Sequence, residues 1–190
     1  MVSKNQIKLI TSLQQKKYRK QEQLFFAEGV KVVQELLNSN FELQDLFTTK
    51  QDFLTVSKDK VHAISEAELK KISALTTPNT CLAVFKMPKS KDFVEKGLIV
   101  ALDDVRDPGN LGTIIRLCDW FGIETLFCSE ESVDIYNPKV VQATMGSISR
   151  VNVVYGSLEA FLTKTKLPVF GTFMDGKNIY QEKLPKEGII

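Results

Sequence analysis

The sequence predicts an α/β protein in two parts, a small alternating α/β unit followed by a second alternating unit on a parallel sheet. Three observations carry the prediction. Apolar runs of strand length alternate with runs of helical periodicity along the chain. The run 97–102 (Gly-Leu-Ile-Val-Ala-Leu) is continuously apolar, as befits a strand covered on both faces. The charge balance reverses at a polar, proline-containing stretch, 87–96: residues 1–96 carry 16 Lys and Arg against 11 Asp and Glu, and residues 97–190 carry 9 against 12. The expected boundaries are a first unit over 1–88, a linker over 89–96 and a second unit over 97–190.

In the first unit, Ile7, Ile10 and Leu13 recur at helical spacing and predict a helix over 3–15. A short strand is expected over 24–27. Val30, Val33, Leu36 and Leu37 share one face of a helix over 29–37. Strands are expected over 43–49 and 60–64. Ser65-Glu66-Ala67-Glu68 has the spacing of a capping box, which opens a helix through Ile72. A strand over 80–86 completes the unit.

In the second unit, the strand 97–102 leads into a helix over 110–121 with Leu111, Ile114, Ile115 and Cys118 inward and Gly122 as its stop. A strand over 124–128 follows. Asn137-Pro138 starts a helix with proline in its first turn. A strand over 151–155, a helix over 157–164 and a strand over 168–172 come next. The closing residues Lys186-Glu187-Gly188-Ile189-Ile190 resemble 95–100, which opens the earlier strand. The chain is therefore expected to stop inside a strand, as a fragment whose parent continues.

Composition narrows the class. At 190 residues, 43% hydrophobic and 25% charged, the chain reads as an ordinary globular protein. Cys81, Cys118 and Cys128 have no metal-ligand spacing, and the single histidine, His62, falls in a strand, so no metal site is expected. No signal peptide or membrane-spanning run is present, which points to a reducing cytoplasmic setting. The first 20 residues hold Lys4, Lys8, Lys16, Lys17, Arg19 and Lys20 and no acid, a basic front suited to a polyanion such as RNA.

Three segments carry candidate chemistry. The first, 103–116 (D-D-V-R-D-P-G-N-L-G-T-I-I-R), reads as strand end, tight turn and helix start. Asn110 is the expected helix N-cap, and Arg116 offers a fork for a phosphate or carboxylate; the alternative is an ion pair of Arg116 with Asp119 or Asp103. No G-x-G-x-x-G follows the strand, which disfavours a nicotinamide-type site. The second, 136–150, is a helix running through small residues and Gly146 into a strand. The third, 170–176 (F-G-T-F-M-D-G), is another strand end with a glycine turn, expected on the same rim, where Phe173 and Met174 read equally as purine contacts or as core.

Taken together, D-P-G-N-L-G-T-I-I-R and K-V-V-Q-A-T-M-G-S-I-S-R resemble motifs 1 and 2 of the SpoU (TrmH-like) family of RNA ribose 2′-O-methyltransferases, in the knotted SPOUT superfamily. Thr144 and Ser147 stand where many members have Ser and Ala. Phe25-Phe26-Ala27-Glu28-Gly29 and the helix after it resemble the family's L30e-like substrate-binding domain. The resemblance implies a Rossmann-like, trefoil-knot-type second domain, S-adenosylmethionine as methyl donor, rRNA or tRNA as acceptor, and a homodimer with the active site at its interface. It implies Asn110 and Arg116 as catalytic residues, with Arg116 proposed in the family as proton acceptor. A guanidinium that stays charged is better suited to clamping a phosphate. It also implies Thr144, Gly146, Gly171, Thr172 and Phe173 at the cofactor. Lys17, Arg19, Lys20, Arg106 and Arg150 are the candidate RNA contacts. The family's motif 3, which supplies much of the cofactor pocket, is absent within 190 residues, so the knot-forming segment is expected beyond them. These 190 residues alone are expected to be an inactive fragment that does not bind the cofactor normally.

Two other readings compete. An RNA-binding module without catalysis would use the basic N-terminal unit alone. A small-molecule enzyme on the same type of sheet would bind a nucleotide without RNA.

Overall fold

The computed structural model describes residues 1–50, 56–89, 93–183 and 185–190. In chain order the first elements are α1 (Lys4–Ser12), α2 (Lys16–Glu22), β1 (Leu24–Glu28), α3 (Val30–Leu37), β2 (Leu43–Thr48), β3 (Val61–Ala63), α4 (Glu66–Ile72) and β4 (Cys81–Lys86). They are followed by β5 (Leu98–Leu102), α5 (Pro108–Trp120), β6 (Thr125–Ser129), α6 (Pro138–Thr144), β7 (Asn152–Gly156), α7 (Leu158–Lys164) and β8 (Gly188–Ile189). The chain divides into two compact units, Met1–Lys89 with Asp134–Ser149, and Ser90–Val133 with Arg150–Ile190. Of the linker expected over 89–96, residues 90–92 lie outside the described residues.

The first unit is a mixed sheet in the order β1-β4-β2-β3, antiparallel except for the β2–β3 pair. All five residues of β1 are buried, although it is an edge strand. Its alternating side chains explain this. Phe26 joins Ile10, Leu13, Phe47, Leu69, Ile72 and Leu82 in one core. Phe25 packs with Phe41, Phe85 and Tyr136, the last at 4.8 Å between ring centroids. Tyr136 belongs to the segment 134–149, which packs in this unit although it lies within the sequence range 97–190. The capping box forms as expected: Ser65 Oγ accepts from the Glu68 amide, and Glu68 Oε2 accepts from the Ser65 amide at 2.9 Å. His62 sits in β3, bonded to Asp45 at 2.7 Å and stacked on Phe47.

The helix expected over 3–15 forms as α1 and ends at Ser12. The chain turns at 13–15 and starts a further helix, α2, which the apolar periodicity did not announce because α2 buries a charge, Arg19, rather than an apolar face.

The second unit is an all-parallel sheet in the order β7-β6-β5-β8. Its core joins Ile99, Phe127 and Ile189, with Phe93 and Phe161 closing an aromatic cluster on Phe127. The strand expected over 168–172 is a single bridge, Val169 to Ile189. Pro168 has no amide to donate, and only two residues of β8 are there to pair with.

Among the described residues no His, Cys, Asp and Glu cluster could hold a metal. All three cysteines are buried, and burial pushes the Cys81 and Cys128 thiols up to about 12. No described helix is long and apolar enough to cross a membrane.

Candidate active site

In the second unit the chain runs from β5 outward to β6 and β7, then returns to lie as β8 on the other side of β5. Parallel sheets bind ligands outside the carboxyl ends of their strands where the strand order reverses, here at β5. The loop at that end is built by its own hydrogen bonds. The Asp104 amide donates to Ser129 Oγ at 2.8 Å and the Val105 amide to Ser132 Oγ at 3.3 Å. Asp104 adopts a left-handed backbone, φ 49°, at the corner.

The helix after this corner starts two residues earlier than expected, at Pro108, and its N-cap is Asp107 rather than Asn110. Asp107 Oδ1 accepts from the Asn110 amide at 2.7 Å. A carboxylate at this position both caps the first turn and opposes the helix dipole. Asn110 is thereby left with its side chain exposed on the first turn.

Arg116 is exposed on α5. The ion pair weighed for it does not form. Asp119 is taken by Arg150, whose Nε lies 3.0 and 2.9 Å from its two carboxylate oxygens and whose Nη2 lies 2.8 Å away. Among the described residues Arg116 makes no hydrogen bond or ion pair. Arg106 is exposed and reaches back to Asp104 at 2.6 Å, which holds its guanidinium above the ordinary value.

Gly171, Thr172 and Phe173 are all exposed, and the Phe173 ring folds over Gly171 so closely that a Cβ there would lie 2.4 Å from it. A bare backbone beside an aromatic face that is 76% exposed is a surface suited to a purine.

The remaining candidates lie in the first unit. Thr144 is fully buried and its hydroxyl donates to the Val141 carbonyl at 2.8 Å. Gly146 is buried with φ +98°, and a Cβ there would meet Glu35 Cβ at 2.5 Å. Both therefore shape the turn after α6. Lys17 and Lys20 are exposed. Arg19, expected at the RNA surface, is instead 2% exposed. Its guanidinium bonds Asp134 at 2.6 Å and the carbonyls of Leu13 and Gln14 at 2.9 Å each. Asp134 carried no signal in its own segment; only the fold brings it to Arg19.

Sequence reasoning also missed the outer face of α5. Leu117, Trp120 and Phe121 are 49%, 83% and 70% exposed, an apolar stripe on the same helix as Asn110 and Arg116. The i, i+3, i+4 spacing was readable, but it would ordinarily mark an inward face.

Comparison with known proteins places the chain among RNA methyltransferases by sequence and fold. The SpoU rRNA Methylase family matches residues 97–190, and the MRM3-like substrate binding domain matches residues 4–83. The chain is 38% identical to a putative RNA methyltransferase of the TrmH family from Porphyromonas gingivalis, superposing with a TM-score of 0.89 over 100% of this chain and 79% of that one. It is 27% identical to an AdoMet-bound rRNA methyltransferase from Sinorhizobium meliloti, with a TM-score of 0.84 over 100% and 78% of the two chains. It is 28% identical to the 23S rRNA (guanosine(2553)-2′-O)-methyltransferase RlmP of Bacillus subtilis, over 95% of this chain and 75% of that protein. Against the mitochondrial rRNA methyltransferase 3 of Xenopus laevis the identity is 29%, over 77% of this chain and 38% of that protein.

Proposed function

Because the chain belongs to the SpoU (TrmH-like) family of RNA methyltransferases, we propose that it serves the transfer of a methyl group from S-adenosylmethionine to a ribose 2′-hydroxyl of rRNA. The observation that carries this reading is Arg116: an exposed guanidinium with no partner among the described residues, on the helix that leaves the switch-point strand.

S-adenosylmethionine, when bound, supplies an electrophilic methyl on a sulfonium. The exposed backbone and ring at Gly171–Phe173 fit its adenine, and we assign Gly171, Thr172 and Phe173 to it. Thr144 and Gly146 contribute by fixing the turn after α6, since the Thr144 hydroxyl is committed to Val141. A 2′-hydroxyl attacks only when held in line, and its proton would pass to solvent water. Arginine stays charged, with a pKa above about 12, so it is a poor proton acceptor. We give Arg116 the role of gripping the adjacent phosphate in two bonds and holding the 2′-oxygen in place. Asn110 on the first turn of the same helix is placed to bond the ribose. Lys17, Lys20, Arg106 and Arg150 are the phosphate contacts we propose, which makes RNA binding fall with salt.

We further propose that the active form is a homodimer. The stripe Leu117, Trp120, Phe121 supports this, since a large exposed apolar patch on a soluble domain marks an interaction surface. The test is transfer of a labelled methyl group from S-adenosylmethionine to ribosomal RNA, with nuclease digestion showing the label on a 2′-oxygen. Label on a base, or Arg116→Ala with undiminished transfer, would remove this reading.

A further inference from the structure

α1 and α2 meet at the turn 13–15 and enclose an open groove of about 810 Å³ between Asn5, Lys8 and Ser12 on one side and Gln15, Tyr18 and Gln21 on the other. That volume falls in the range of ligand sites, about 300–1,000 Å³. Two things distinguish this groove from an ordinary surface depression. Its geometry is fixed from beneath: buried Arg19 donates to the carbonyls of Leu13 and Gln14, the turn that sets one helix against the other, and is itself held by Asp134. And part of its polar lining is uncommitted. Ser12 and Thr11 spend their hydroxyls on their own helix and Gln21 donates to Glu22 at the groove's edge, but the side chains of Asn5, Lys8, Gln15 and Tyr18 make no hydrogen bond among the described residues.

We propose that this groove seats an unpaired nucleotide of the RNA substrate, with its base stacked on Tyr18. The inference rests on the methyltransferase reading for the nature of the substrate. Recognition of single-stranded RNA combines an aromatic platform, amides for the base edges and cations for the backbone. All three occur here. The Tyr18 ring is partly buried, and Lys17 Nζ lies over it at 5.8 Å from its centroid. Asn5 and Gln15 each present both a donor and an acceptor, the pattern that bonds a Watson–Crick edge. Lys8 lines the groove, and Lys16, Lys17 and Lys20 are exposed on α2. A free phosphate alone would use the lysines but leave the ring and amides idle, so the occupant is a nucleotide with its base.

The experiment is fluorescence anisotropy of the full chain with a labelled single-stranded RNA of about 12 nucleotides, a length within single-strand site sizes, and with the matching duplex. Wild type is expected to prefer the single strand. Tyr18→Ala is expected to weaken single-strand binding roughly tenfold, the scale of one lost base stack. It should leave duplex binding and the circular dichroism spectrum unchanged. Tyr18→Phe, which keeps the ring, should bind within about twofold of wild type. Unchanged binding by Tyr18→Ala, or an equal loss for strand and duplex, would overturn the groove assignment while leaving the methyltransferase reading standing. No RNA binding by wild type would instead count against that reading.

Discussion

Arg19 and Asp134, 115 residues apart in the chain, form a buried ion pair with Nη2 2.6 Å and Nε 3.1 Å from the same carboxylate oxygen. Removing Arg19 leaves the Asp134 carboxylate, 14% exposed, without its counter-charge. Breaking a buried pair costs about 3–5 kcal/mol, toward the lower end here because Asp134 keeps some water. Arg19→Ala should therefore lower stability by about 3 kcal/mol, read by urea unfolding of the whole chain. A loss below about 1 kcal/mol would mean that the pair is a surface interaction in solution.

In a chain extended through motif 3, Arg116→Ala should abolish methyl transfer to RNA while changing stability by no more than about 0.5 kcal/mol, because the side chain is exposed and has no partner among the described residues. Transfer assay and thermal melt on the same preparation check both halves. A large drop in melting temperature would show that the residue is structural.

Gly146→Ala should destabilise the chain by more than about 1 kcal/mol, since it combines a left-handed backbone with a Cβ 2.5 Å from Glu35 Cβ. Glu35→Gly in the same chain removes the collision but not the backbone strain, so the double variant should regain only part of the loss. Full recovery, measured by unfolding, would assign the whole effect to sterics.

Trp120→Glu places a charge in the exposed stripe of α5. Sedimentation of the wild type should show a dimer and of the variant a monomer, with the circular dichroism spectrum unaltered. A wild type that sediments as a monomer at micromolar concentration would separate this stripe from self-association.

Glu68 accepts from the backbone amides of Ser65 and Val2, which hold its carboxyl at about 2 against an ordinary 4.5. A carboxyl held low in the folded state contributes stability above its unfolded pKa and loses it as pH falls through the folded one. Glu68→Gln should flatten the acid limb of the stability profile between pH 4.5 and 2. Superimposable acid limbs would show that another carboxyl governs that range.

Much of the architecture was legible because local chemistry and tertiary structure agreed. The apolar run 97–102 appears as the strand β5, though Ile99 alone of its residues is buried, the Ser65–Glu68 box caps α4 from Ser65, and Pro138 opens α6. The misreadings share a cause. Helix α2, beyond the helix expected over 3–15, was not expected because its buried residue is charged. Asp107 rather than Asn110 caps α5 because two polar residues three apart compete for one role, and backbone geometry decides between them. The strand over 168–172 shrank to a bridge because pairing depends on what lies alongside.

The sequence by itself determined the class of protein, the parallel sheet and the corner that bears Arg116, since apolar runs, turn residues and motif spacing are local properties of the chain. Only the tertiary structure decided which charges are free. It buried Arg19 against Asp134, gave Asp119 to Arg150, and left Arg116 without a partner among the described residues. A formal charge is written in one residue, but its desolvation and its partner are set by residues far along the chain.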